Sequence, residues 1–228
     1  MIQVYIDAEF DAVRYQKRFE QAVISFGAVA CRQKQMLDTF YTLVRPRYFR
    51  HLTPVVKKMT HLKDKEILAA EPLEVVTEHF LSWLQRFGEL ADIQLYSCGP
   101  DDPRTLMKNC AIHHIDGALF DRIQDLQKEI SATVKFQNKI ISPSLSLDDM
   151  KLIYDIQGAV DHNALNDAKD LMYIHQRYLD GNAQNAQRIL DIVNRKEAKQ
   201  QEVRQKQNER LRTMMTVSYT HLTLPTKA

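Results

Sequence analysis

The 228-residue chain is long enough for one substantial domain and an appendage. Its composition, 44% hydrophobic and 26% charged with a net charge of +2, is that of a globular protein and excludes a disordered chain. No stretch approaches the roughly 18 apolar residues of a membrane span, so a membrane partner is not expected.

Charge is distributed unevenly. Between Arg188 and Thr216 eight Lys/Arg stand against four Asp/Glu, and Lys227 adds one more positive charge, which leaves residues 1–187 at −3. The three cysteines, Cys31, Cys98 and Cys110, show no CxxC spacing. An odd, unspaced set argues against a disulfide framework or a cysteine zinc site, and reduced thiols in a cytoplasmic protein are expected.

In chain order, residues 2–10 (IQVYIDAEF) alternate and are rich in Val, Ile, Tyr and Phe, which predicts a strand that begins at once, not a signal peptide. Residues 22–31 and 36–44 predict two more strands, joined as a hairpin through the polar RQKQ turn. Pro72 opens a helix in which Leu73, Val76, Phe80, Trp83 and Leu84 recur at helical spacing. Residues 93–98 predict a short strand, turned by Gly99 and Pro100 into a helix with Asp102 at its N-cap and Pro103 at its first position. A further helix is predicted from Ser144 to about Tyr154. Another runs from the Asp161-His162-Asn163 segment to about Leu179, stopped by Asp180-Gly181.

From Ala186 to Met215 a polar, basic helix follows. Val217–Thr226 reads as one frame of a transposon-end sequencing adapter, so residues 217–228 are expected to be a scar of sequence assembly. His221 drops out of site arguments for that reason. The expected organisation is a domain over residues 1–182, a basic helical tail over 183–216 and the scar over 217–228. Strands first, then strand–helix alternation, indicate an α/β domain around a mixed sheet.

Certain acids demand an explanation. Asp7 and Glu9 are two apart on a strand and leave the same face. Burying a carboxylate costs several kcal/mol unless it is paired or bound to metal, and two on one face repel. Asp102 follows a strand, with Asp101 its competitor, although an Asp at a helix start also has a purely local capping role. Asp167 shares a helix face with Ala164, Leu171, Ile174 and Tyr178, so an acid is aimed at the core. His162 precedes that helix. Taken singly, D-x-E can be a solvated edge and His162 a helix-entry residue.

Taken in order, D-x-E in YIDAEF, G-x-x-D in CGPDDPRTL and H-x-A-x-x-D in DHNALNDAKDL resemble the DEDDh 3′→5′ exonuclease superfamily, the RNase T and DNA polymerase III epsilon-like group. The resemblance extends to LTPVVKKMTHLKDKEI and SLSLDDMKLIYDI and covers about residues 2–180. Its nearest branch looks like the Eri-like, KapD-like sporulation-inhibitor exonucleases. One departure is Cys98, where that group usually has an aromatic residue.

The resemblance implies a ribonuclease H-like mixed five-stranded sheet flanked by helices. It implies two Mg²⁺ or Mn²⁺ ions held by Asp7, Glu9, Asp102 and Asp167, with His162 as general base. It implies release of nucleoside 5′-monophosphates from single-stranded 3′ ends, RNA favoured slightly over DNA. Ala8, Phe10, Thr60, His61 and His162 would contact the nucleic acid. The alternatives are a catalytically silent nucleic-acid-binding regulator and an unrelated α/β scaffold in which these residues do not converge.

Overall fold

A computed structural model describes residues 1–15, 18–181 and 184–221. It forms two compact units, one from Met1 to Asn185 and one from Ala186 onward. The first is built on a six-stranded sheet of order β4-β3-β2-β1-β5-β6. The long strands are β1 (Ile2–Tyr15), β2 (Arg18–Arg32) and β3 (Gln35–Arg45), with β5 (Ile93–Ser97) beside β1. Strands β1, β2 and β3 pair antiparallel, and β5 runs parallel to β1. The ribonuclease H-like mixed sheet expected from the sequence is present. It has six strands instead of five: β1, β2, β3 and β5 are flanked by two-residue edges at β4 (Glu71–Pro72) and β6 (Gln124–Asp125).

Strand β1 extends five residues beyond the expected Phe10. Its partner β2 likewise starts at Arg18, so the two pair as a long hairpin arm. The β2–β3 turn is Gln33-Lys34, both at positive φ (51° and 68°), the two-residue geometry that matches strand twist. On one sheet face Val4, Ile6 and Ala8 join Phe26, Phe80, Trp83, Leu84, Leu106 and Phe120 in the main core. Helices α3 (Leu73–Gln85) and α4 (Asp101–His113) supply that layer.

The other face of β1 and β2 is covered by α8 (Ala164–Leu179). Its fit depends on Gly27 of β2. A Cβ there would lie 2.3 Å from the Ala164 backbone carbon, so only glycine lets the helix start so close to the sheet.

Helices α1 (Pro54–Thr60) and α2 (Asp64–Leu68) follow β3. Then α5 (Ala118–Asp121), α6 (Leu126–Thr133), the β7–β8 ribbon (Lys135–Phe136 with Lys139–Ile140) and α7 (Leu147–Ile153) complete the unit. Most are too short for a periodic signal, which needs a window of about 11 residues, and of these only α7 was anticipated.

Helix α4 starts at Asp101 with Pro100 at the N-cap, so Asp102 is the second helical residue and not the cap. Gly99, at φ 100°, makes the turn that lets the helix begin early. In the second unit, α9 (Ala186–His221) continues past the expected Met215 through Val217–His221. The rest of the 217–228 segment lies outside the described residues. Among those described, no helix is long and apolar enough to cross a membrane.

Candidate active site

Asp7 and Glu9 stand opposite Gly27 and Ser25 on β2. The pairing of β1 with β5 stops at Tyr5, so the far edge of β1 is released where these acids begin. Strand β5 ends at Ser97, and the Gly99 turn brings the first turn of α4 to that released edge. Asp102 is half-buried there, whereas Asp101 is exposed and pairs with Arg104 at 3.0 Å. The geometry therefore selects Asp102 over Asp101 as the inward acid.

Because Gly27 admits the start of α8 opposite Asp7, the fourth acid, Asp167, arrives as well. Asn163 caps the helix, its Oδ1 accepting from the amides of Leu165 (3.1 Å) and Asn166 (3.2 Å). Asp161 accepts from the Asn163 amide at 3.1 Å and from Asn166 Nδ2 at 2.8 Å. Between them His162 sits at φ 53°, a left-handed conformation uncommon for a residue with a side chain. The two Asx turns hold it there.

His162 Nδ1 is 3.9 Å from Glu9 Oε1. Ligand atoms of Glu9, His162 and Asp167 all lie within 4.8 Å of one another, close enough to share one metal ion. Asp167 is 5% exposed, and its Oδ1 has no hydrogen-bond partner among the described residues.

The electrostatics are those of crowded anions. Burial, then the charges of Asp102, Asp167 and Glu9, push Asp7 well above the carboxylate range. Burial, then Asp167, Asp102 and Asp161, push Glu9 up to about 8. Asp102 is raised to about 7 by burial, Asp101 and Asp167. Asp167 is raised to about 7 by burial, Asp161 and Asp170, with Lys151 acting against the shift. Lys151 is buried in an ion pair with Asp170. Cys98, in place of the expected aromatic, lies near the same acids, and its thiol is pushed up by burial and then by Asp7. Four mutually repelling carboxylates in a partly desolvated cleft cost the fold free energy unless cations join them.

The sequence residues Asp7, Glu9, Asp102, His162 and Asp167 are thus brought together at one site. Ala8 is different: its side chain is in the core, so only its backbone could meet a ligand. Phe10 packs partly against the core, Thr60 is half-buried at the end of α1, and His61 is exposed at its C-cap. None of these four is drawn into the carboxylate cluster.

Three residues escaped the sequence reading. Gly27 could have been noticed as a lone glycine inside a strand, a mark of close backbone approach. Asp161 adds charge to the cluster. Asp11 continues the Asp7–Glu9 alternation and is buried, accepting from the Thr53 amide and hydroxyl, both at 2.7 Å.

The model of the exonuclease (RNase T) family matches residues 4–175. The chain belongs to that family. Comparison with the curated protein sequences gives no match. Among solved structures it is similar to cell-death related nuclease 4 (CRN-4), with a TM-score of 0.67 and 22% identity over 80% of this chain. The match spans 64% of that nuclease. The nuclease domain of 3′hExo, a DEDDh family member solved with rAMP, gives a TM-score of 0.68 at 19% identity, covering 80% of this chain and 93% of that one. Exonuclease I of E. coli in complex with a dT13 oligonucleotide gives 0.58 at 11%, covering 77% and 40%. At these identities the likeness shows the shared fold.

Proposed function

We propose that this chain is a metal-dependent 3′→5′ exonuclease that releases nucleoside 5′-monophosphates from single-stranded RNA or DNA ends. The observation that carries the reading is the convergence of Asp7, Glu9, Asp102 and Asp167 from three separate elements, with their carboxyls raised and one buried Asp167 oxygen without a partner among the described residues.

An all-oxygen set of acids with one adjacent imidazole suits hard divalent cations, Mg²⁺ or Mn²⁺, over a thiolate-seeking metal. Asp7, Glu9 and Asp167 would hold one ion, and Asp7 with Asp102 a second, four negative charges offsetting two M²⁺. Such ions supply positive charge at the scissile phosphate and at the leaving oxygen of an in-line displacement.

The remaining work falls to the chain. His162 is two-fifths exposed, so it is reachable by water, and its Nδ1 stands 3.9 Å from Glu9 Oε1, at the edge of the carboxylate cluster. It accepts the proton of the attacking water and passes it to solvent. The Asp161–Asn163 turn fixes that imidazole. The backbone at Ala8, with Phe10, Thr60 and His61, would seat the terminal nucleotide. Within this reading the substrate is RNA slightly over DNA, the subgroup is the Eri-like branch that the sequence motifs resemble, and the three free cysteines support a cytoplasmic setting.

The test is digestion of end-labelled RNA and DNA with Mg²⁺ or Mn²⁺. A ladder from the 3′ end, abolished by Asp7→Ala, is expected. Binding without turnover on every substrate would replace the enzyme with a silent regulator of the same fold.

A further inference from the structure

Residues 1–187 carry net negative charge, which is unfavourable for holding a polyanion away from the carboxylate cluster. The sign is reversed locally. Where β3 ends, the segment Arg45-Pro46-Arg47-Tyr48-Phe49-Arg50-His51 interleaves three arginines, a histidine and two aromatics within seven residues. Arg47, Tyr48, Arg50 and His51 are exposed.

This segment meets the hairpin arm of β1 and β2. Ala12, Val13, Arg14, Phe19, Tyr48, Arg50 and His51 line a cleft of about 200 Å³ with no acidic residue in its wall among the described residues. Phe19 is 76% exposed and stands opposite Arg14 in the hairpin register, an aromatic ring offered to solvent. Arg14 and Arg50 form no ion pair among the described residues. The nearby acids are already committed. Glu20 pairs with Lys108, and Asp11 is buried against Thr53.

The cleft is tied to the candidate active site by one strand. Ala12 to Arg14 follow Glu9 by three to five residues, a rise of about 10–17 Å. Asp11, between them, clamps Thr53, two residues after His51, onto the strand that bears Asp7 and Glu9.

From this we infer that the hairpin-arm cleft is a second binding surface, gripping the body of a single-stranded nucleic acid whose 3′ end is in the carboxylate site. Guanidinium groups without an ion-pair partner among the described residues meet phosphates, and exposed Phe19 offers a stacking face to bases, a combination that suits single strands of any sequence. The inference rests on the exonuclease reading for its orientation but not for its existence.

The experiment compares the wild-type chain with Arg14→Ala/Arg50→Ala and Phe19→Ala, each checked for an unchanged melting temperature. Hydrolysis is measured on a 12-nucleotide single strand and on the p-nitrophenyl ester of thymidine 5′-monophosphate, which is too small to reach the cleft. Binding of the same 12-mer is followed by fluorescence anisotropy in EDTA across a salt series.

The expected result is a KM for the 12-mer raised about tenfold in the double variant, with kcat and ester hydrolysis unchanged. The slope of log affinity against log salt should fall by about 1.4, the share of two phosphate contacts on a single strand. Phe19→Ala should weaken binding with its salt slope intact. An unchanged KM and anisotropy in both variants would overturn the inference while leaving the enzyme reading standing. If the wild type hydrolyses neither substrate, the enzyme reading fails, and the EDTA titrations alone decide the cleft. Displacement of the 12-mer by polyglutamate as readily as by unlabelled oligonucleotide would also overturn it, in favour of an acidic protein partner.

Discussion

Removing one charge from the carboxylate cluster should make the metal-free protein more stable, even as it destroys metal binding. Asp167→Asn is the cleanest case, because the side chain is 5% exposed and its Oδ1 has no partner among the described residues. Its carboxyl is raised from 3.8 to about 7. Each unit corresponds to about 1.4 kcal/mol, so ionised Asp167 costs the fold at most about 4 kcal/mol above pH 7. Structural relaxation and the burial of an amide in its place leave about 2 kcal/mol as the expected gain. For a chain of this size that is a rise in melting temperature of roughly 4–8 °C.

The pH dependence follows from the same direction of shift. A carboxyl raised in the fold binds more protons folded than unfolded between about pH 4 and pH 7, so stability falls as pH rises through that window. In EDTA the wild type should therefore melt higher at pH 5.5 than at pH 8. Asp167→Asn should flatten this difference and melt higher than wild type at pH 8. Differential scanning fluorimetry reads all four conditions. A variant that melts at or below the wild-type temperature at pH 8 in EDTA would refute the reasoning.

Gly27→Ala places a Cβ 2.3 Å from the Ala164 carbon, so α8 must shift, and a loss of both melting temperature and at least about 100-fold of activity is expected, read by fluorimetry and end-labelled digestion. Asp101→Ala should digest labelled RNA at nearly the wild-type rate, whereas Asp102→Ala should be inactive, since only Asp102 faces the cluster. His162→Gln should lower kcat by about 10²–10⁴-fold yet keep the rise in melting temperature that Mn²⁺ gives the wild type.

Legibility in the sequence followed the length over which a physical pattern repeats. The core strands and helices α3 and α8 were readable because Leu73, Val76, Phe80, Trp83 and Leu84, or Asp167, Leu171 and Ile174, recur over many residues. The acids were readable because a carboxylate at a core-facing position conflicts with burial.

Other features were invisible for equally definite reasons. Helices α1, α2 and α5 have four to seven residues each, fewer than two helical turns, and the arm beyond Phe10 has polar residues where alternation is broken. The choice of Asp102 over Asp101 depended on the Gly99 turn, which moved the start of α4 by two residues. The position of His162 relative to Glu9 depended on a left-handed backbone that neither residue announces. The cleft of Arg14, Phe19 and Arg50 joins residues more than thirty apart in sequence, which no local pattern brings together.

The central claim is that divalent cations reconcile Asp7, Glu9, Asp102 and Asp167. Calorimetric titration of Mn²⁺ into the chain at pH 8 tests it most directly. Saturation at two ions per chain is expected, with binding lost in Asp7→Ala and proton release that grows as the pH is lowered toward 7. Absence of any binding at millimolar Mn²⁺, or binding undiminished by Asp7→Ala, would contradict the account.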